Sequence, residues 1–490
     1  MAAAACLAVC LIGVAPGGAA GTKPATYEAT WESLAKVPVP RWFDDAKFGI
    51  FIHWGPYSVA AFRPGGRGYA EHFPQMLYRD PKRHYPFMKK AFGLAPPAFG
   101  YKDLIPRFRA EKFDPDAWAD LFVRAGARYV IPTGEHHDGF VLWDSKLTPW
   151  TAARMGPKRD LIGDLARAVR RRGLKFGVSY HRERHYWFFA RKKKTNGSPP
   201  HDDVAEEIRR MPAAAGLYGP FRLDEPYMAD YVRRWEEVCE KYRPDFMWLD
   251  DYPPTSRADE ELYRAYCVRM IADYLNRARA WGQEVYFNNK GRKPNWPVDA
   301  GCREKDNLKL PSIGPKWQNP ATLGTSYGYM RAEEQRDAYK SPTQLIHLLC
   351  DVVSKNGNLL LNIGPRADGT IPEAQRRRLL AMGRWLRVNG EAIYGTRPWT
   401  TFGQSAPALR FTTRARTLYA IALAKGQAAF TIASTKGWKA EDVERVSLLG
   451  CAGKVGWAVT EAGLAVTPPP GAEGEHAWVF RVQSRRDLPR

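Results

Sequence analysis

Between residues 40 and 300, short apolar runs alternate with stretches whose apolar residues recur at helical spacing. The runs are Phe48–His53, Tyr129–Thr133, Leu174–Tyr180, Phe246–Asp250 and Val285–Asn289. Between them lie Asp116–Ala125, Leu161–Arg172, Tyr227–Tyr242 and Glu260–Trp281. Strand and helix in alternation predict βαβ units, in which a crossover helix lets successive strands pair in parallel. The number of units and the length favour a (β/α)8-like TIM barrel. An open doubly wound sheet is disfavoured because no Gly-rich phosphate loop follows an early strand.

A further unit places a helix over Gln344–Val353 and a strand over Leu359–Ile363. Pro372–Asn389 reads as another helix, with Glu373 in its first turn and Asn389-Gly390 as its stop. From about Thr400 the pattern changes to short alternating runs, Leu409–Thr412, Leu418–Leu423, Ala428–Ile432, Val446–Leu449 and Ala477–Val482. These predict a small antiparallel β-sandwich. The expected division is a barrel over 27–399 and a sandwich over 400–490. Residues 190–225, rich in Pro, Gly and charge, are expected to form a loop beside the barrel mouth.

The first twenty residues are small and apolar, and Lys23 is the first basic residue. The Leu7–Val14 run followed by small residues predicts a secretory leader over 1–20 and a secreted or periplasmic product. No later apolar run reaches the roughly 18–20 residues of a membrane span, so no stable membrane insertion is expected. Outside that leader only Cys239, Cys267, Cys302, Cys350 and Cys451 remain, with neither zinc-site nor disulfide spacing.

Lys and Arg number 74 against 52 Asp and Glu, a formal charge of +22. Clusters occur at Arg170–Arg172, Arg191–Lys194 and Arg376–Arg378, the first and third in helical stretches where a solvated face is the simple explanation. No nucleic-acid motif accompanies them, and no nucleic-acid partner is expected. The sequence leaves the oligomeric state open.

The chemistry lies in what ends each strand, because barrels of this class take their reactive groups from strand C-terminal ends. The endings are His53-Trp54-Gly55, Glu135-His136-His137-Asp138-Gly139, Tyr180-His181, Trp248-Leu249-Asp250-Asp251 and Asn288-Asn289-Lys290. One such ending could be a cap or a satisfied polar residue; five at one mouth exceed what capping requires. Histidines, carboxylates and tryptophans suit sugars: imidazole and carboxylate bind hydroxyls, and indole covers apolar C–H faces. Glycoside hydrolysis needs two carboxyl groups flanking the bond.

Phe48-Gly49-Ile50-Phe51-Ile52-His53-Trp54-Gly55 and His136-His137-Asp138-Gly139-Phe140 resemble signature segments of the α-L-fucosidases of glycoside hydrolase family 29. Trp248-Leu249-Asp250, Gly357–Pro365 and Asp368–Pro372 continue the same order. The resemblance runs from about residue 27 to 400. It implies a retaining exo-hydrolase that releases α-linked L-fucose by double displacement, without cofactor or metal. The implied partner is a fucosylated oligosaccharide or polysaccharide, and the basic charge suits an acidic or sulfated one.

The resemblance assigns Asp250 as nucleophile. Trp248 and Asp250 share one strand face and Asp251 the other, which favours Asp250 over Asp251. Glu304 is the matching acid/base, at the end of Asp299-Ala300-Gly301-Cys302-Arg303-Glu304; a solvated loop carboxylate is its plain alternative. Glu284, at the wrong end of a strand, is a poor rival. The family's sugar-binding positions match His53, Glu71, His136, His137, Tyr180, Trp248 and Lys290. Three departures stand out: His72 where the family has Trp, Lys290 in place of Arg, and Gln318 in place of Glu. They put efficiency, linkage preference and the exact sugar in question, and the altered residues around Glu71, Lys290 and Glu304 motivate an alternative, a catalytically weak or silent fucose- or glycan-binding protein on the same fold. A metal-dependent hydrolase built on His53, His136, His137 and Asp250 is less consistent, because the first strand lacks the His-x-His of such sites.

Overall fold

The computed structural model describes residues 26–250, 254, 256–289, 301–302, 313–424 and 428–488. The expected leader, Asp251, Lys290 and Glu304 lie outside them. Eight parallel strands form one sheet: β1 (Phe48–Ile52), β2 (Tyr129–Glu135), β3 (Lys175–Tyr180), β4 (Phe246–Leu249), β5 (Tyr286–Asn289), β6 (Gly301–Cys302), β7 (Trp317–Thr322) and β8 (Gly357–Ile363). Their order is β5-β4-β3-β2-β1-β8-β7-β6. β1 pairs on one side with β2, Gly49 opposite Tyr129, and on the other with β8, Phe48 opposite Leu359. First strand against last is the joint of a (β/α)8-like barrel.

β1, β2, β4, β7 and β8 are buried on both faces, and period-two alternation sorts their side chains. Ile50, Ile52, Val130, Phe176, Val178, Met247, Leu249, Leu359 and Leu361 point outward into the layer beneath the helices. Phe51, Tyr129, Ile131, Phe246, Trp248, Tyr286 and Leu360 fill the barrel interior. Phe43, on the short helix Arg41–Ala46, packs 5.8 Å from Tyr129 and 5.2 Å from both Phe246 and Tyr286, plugging the N-terminal end. Burying each large ring contributes about 1.5–3 kcal/mol. Gly49 is required there, since a Cβ would meet the Tyr129 ring at 2.4 Å.

The helices follow from amphipathic spacing and caps. Asp160 caps Leu161–Arg171 by accepting from Gly163 N, and Leu161, Ile162, Leu165, Ala168 and Val169 bury its inner face. Its outer Arg171 and the following Arg172 bond Asp116 and Asp120 of the neighbouring helix Pro115–Ala125. That accounts for the first basic cluster.

Residues 190–225 are more ordered than a loop. They hold the helices Asp202–Arg210 and Ala215–Tyr218. Val204 and Ile208, one turn apart, pack on the barrel layer, and buried Glu207 accepts the Tyr78 and Tyr218 hydroxyls. Composition hid this four-residue periodicity.

The C-terminal region is antiparallel. A five-stranded sheet contains Arg397–Gln404, Leu409–Arg414, Thr417–Ala422, Val443–Leu448 and Trp478–Ser484. A three-stranded sheet holds Phe430–Ile432, Gly456–Thr460 and Gly463–Thr467. Trp399, Phe411, Leu418, Ile432, Leu464 and Phe480 are part of their shared core. Trp385, on the last barrel helix, donates to Ala477 O at 3.0 Å and ties the two regions together. Among the described residues no helix is long and apolar enough to cross a membrane.

Candidate active site

At the C-terminal ends of β1 to β4, four imidazoles and one carboxylate converge. The His136 ring lies 5.8 Å from His53, 4.4 Å from His137 and 5.1 Å from His181. Asp250 Oδ2 is 3.3 Å from His137 Nε2, 3.8 Å from His181 Nδ1 and 3.5 Å from Arg184 Nη2. Trp248, one step down β4, stacks on His181 at 5.3 Å and meets Phe51 at 5.1 Å, forming the floor. Consecutive His136 and His137 both reach His181 because β2 slips register between Thr133 and Glu135, and a bulge breaks strict alternation.

Hydrogen bonds fix which nitrogen faces the pocket. Asn362 donates its amide to Tyr327 O, so its Oδ1 must accept from His53 Nδ1, 2.7 Å away. The His53 proton therefore sits on Nδ1, so in the singly protonated ring Nε2 is the acceptor. His137 Nδ1 donates to the His181 carbonyl at 2.5 Å, which likewise leaves Nε2 unprotonated toward Asp250. Burial pulls the His137 pKa down to about 4, opposed by its contact with Asp250. His136 lies well below the ordinary histidine value, from burial and the surrounding imidazoles. These two rings are neutral at pH 7 and can accept hydrogen bonds from hydroxyls.

A buried network holds the strand ends. Arg182, just after β3, donates to Glu135 of β2 at 2.5 Å and to Asp230 at 2.7 Å. Arg234 donates to the same Asp230 at 2.9 Å, linking the helix Glu225–Tyr242. Each charge has an opposite partner, which is what makes burial of such groups tolerable. Glu71 sits behind the pocket, accepting from Gly328 N at 2.8 Å and Ser326 Oγ at 3.1 Å; burial pushes its pKa up to about 7.

The structure thus brings His53, His136, His137, Trp248 and Asp250 together and sets Glu71 behind them. It does not bring Tyr180 there. That side chain points outward, its hydroxyl donating to Tyr231 O at 2.8 Å beneath the helix layer. The expectation for Tyr180 is corrected: His181, the next residue, occupies the inward position. The alternation of apolar Phe176, Val178 and Tyr180 with small Gly177 and Ser179 carried that signal. Trp54 also faces away, packing on Phe108, Phe113 and Trp118. The sequence reading missed Glu183 and Arg184 as well. Glu183 is 3.6 Å from His137 Nδ1 and 3.3 Å from Arg184 Nε. His72 directs its ring at His136 and His137, 6.0 and 5.7 Å away. Lys290 and Glu304 lie outside the described residues.

Ligand atoms of His53, His136 and His181 fall within 4.8 Å of one another, as do those of His137, His181 and Asp250. His53 Nδ1 bonds Asn362, His137 Nδ1 the His181 carbonyl and His181 Nε2 the Ser179 hydroxyl. Several imidazoles gathered around one carboxylate match the several hydroxyls of a pyranose.

Comparison with known proteins agrees with this geometry. The family model described as alpha-L-fucosidase matches residues 17–391. Tissue alpha-L-fucosidase of Rattus norvegicus is 32% identical over 96% of this chain and 96% of its own length. Alpha-L-fucosidase of Dictyostelium discoideum is 34% identical over 77% of this chain and 76% of its own. The crystal structure of Thermotoga maritima alpha-fucosidase in complex with a mechanism-based inhibitor superposes with a TM-score of 0.76. It is 32% identical and covers 93% of this chain and all 100% of its own. The chain belongs to the α-L-fucosidase family.

Proposed function

We propose that this protein releases terminal α-linked L-fucose from glycans with net retention. The observation that carries the reading is a buried carboxylate, Asp250, at a barrel strand end and ringed by imidazoles. Asp250 Oδ attacks C1 as the glycosidic C1–O bond breaks, and a carboxylic acid protonates the departing oxygen. We assign that acid to Glu304, on its match to the family motif. The resulting carboxylate then takes a proton from water, whose oxygen displaces Asp250 and gives α-L-fucose.

His53 and neutral His136 accept hydrogen bonds from sugar hydroxyls, and His137 does so beside the attacking oxygen. Arg184 places a permanent positive charge 3.5 Å from Asp250 Oδ2. Glu71 braces the 326–328 loop whose carbonyl at Tyr327 orients Asn362 and hence His53. Glu71, Trp248 and Lys290 are assigned to sugar binding on the family pattern; Tyr180 is reassigned to packing.

We further read residues 1–20 as a leader that sends the protein out of the cytoplasm, and the fucosylated substrate as acidic or sulfated. Hydrolysis of an aryl α-L-fucoside, with the first-formed anomer identified by NMR, tests the activity. Initial release of α-L-fucose is expected; β-fucose, or no turnover across a panel of fucosides, would overturn it.

A further inference from the structure

At the foot of the barrel a groove of about 750 Å³ runs between the ends of two helices and the C-terminal sheet. Arg124, Arg128, Arg387 and Arg414 line it, and all four are exposed. Among the described residues none of the four makes an ion pair. The other two charge clusters in helical stretches are largely paired: Arg171 and Arg172 with Asp116 and Asp120, Arg376 with Glu373, and Arg378 with Asp337. Glu391, the acidic residue of the groove, is held by Arg481 at 3.4 Å. Helix dipoles account for two of the arginines, since Arg124 and Arg387 occupy last turns. Arg128, just before β2, stacks over the ring of Tyr394 in the same groove at 4.2 Å, which leaves Arg414, at a strand end, without a comparable reason to sit there.

Apolar surface accompanies the charge. Val123 and Val388, 43% and 50% exposed, are two of the five large apolar residues left exposed among the described residues, and both line this groove. Guanidinium forks beside small apolar faces suit a ligand that alternates anionic groups with C–H surface. A sulfated sugar chain has that alternation; free phosphate lacks the apolar part.

We propose that this groove is a second binding site, for a sulfated oligosaccharide segment. The choice of ligand rests on the reading of the protein as a fucosidase of glycans. Arg128 immediately precedes the seven-residue β2 and His136 immediately follows it. At about 3.3 Å per residue, roughly 23 Å of strand therefore separates groove from mouth. The site does no chemistry. It tethers the enzyme to a sulfated polymer and raises the local concentration of chain ends.

Isothermal titration with a size-defined sulfated fucan oligosaccharide tests this, comparing wild type with the triple variant Arg124→Ser, Arg387→Ser, Arg414→Ser. Affinity should fall at least about tenfold in the variant, while kcat/KM on a small aryl α-L-fucoside stays within about twofold. In the wild type, hydrogen exchange should show protection of residues 123–128 and 386–394. A saturating iminocyclitol inhibitor at the mouth should leave that binding intact. Equal affinity in the variant, equal binding of the desulfated oligosaccharide or of a DNA duplex, or loss of binding with the inhibitor would each overturn the proposal. Wild-type aryl fucoside turnover reports on the activity separately, so the two readings fail distinguishably.

Discussion

His137 Nε2 lies 3.3 Å from Asp250 Oδ2 while the opposite nitrogen of the same ring is committed to the His181 carbonyl. The neutral ring therefore meets the carboxylate with a lone pair, and the two bond only when the ring takes a second proton. Its pKa of about 4 keeps that state below the neutral range. His137→Ala should lower kcat/KM by roughly 100-fold at pH 7, through loss of a hydroxyl acceptor beside Asp250. A loss below tenfold in steady-state assays would remove His137 from the sugar site.

Tyr180 and His181 separate the two faces of β3. Tyr180→Phe deletes a buried hydroxyl bond to Tyr231 O and should cost about 1 kcal/mol in urea unfolding, with kinetics unchanged. His181→Ala should lower kcat/KM by about 10²-fold, since its ring stacks on Trp248 and approaches Asp250. The reverse pattern would restore Tyr180 to the site.

The orientation of His53 depends on Asn362. Asn362→Leu frees the ring to place its proton on Nε2, a donor where an acceptor is needed. KM for an aryl fucoside should rise about tenfold with a smaller change in kcat. An unchanged KM would mean that the sugar does not read that nitrogen.

Glu71 couples stability to pH. Its folded pKa of about 7 exceeds the ordinary 4.5, so the folded state binds more protons between those values. The stability it contributes is fully present below about pH 4.5 and is lost as pH rises through 7. Glu71→Gln removes that loss. Relative to wild type, the variant should gain on the order of 3 kcal/mol between pH 5 and pH 8 in denaturant unfolding. A constant difference across that range would contradict the buried, proton-binding role.

Much of the barrel was legible because fully buried parallel strands are apolar runs, and their polar endings stand out against them. Five of the eight strands were read in the alternating stretch and β8 in the later unit. β7, Trp317–Thr322, was missed because its inner face carries Gln318 and Thr322, so it lacks a continuous apolar run. The helix Asp202–Arg210 was masked by charge, since it buries little beyond Val204 and Glu207.

Within the site, His53, His136, His137 and Asp250 could be seen from strand ends alone. Tyr180 was misread although period two already put His181 inward. Arg184 follows the strand by several residues, and nothing in local pattern says that such a loop folds back onto Asp250. Its guanidinium contact, 3.5 Å away, needed the three-dimensional arrangement.

The central claim is that Asp250 attacks the sugar. Asp250→Ala should cut aryl α-L-fucoside turnover by at least about 10³-fold, some 4 kcal/mol of barrier. Added azide, entering from the vacated face, should restore release of the aryl group and yield β-L-fucosyl azide by NMR. Turnover undiminished by the substitution, or azide rescue giving only the α-azide, would contradict the assignment.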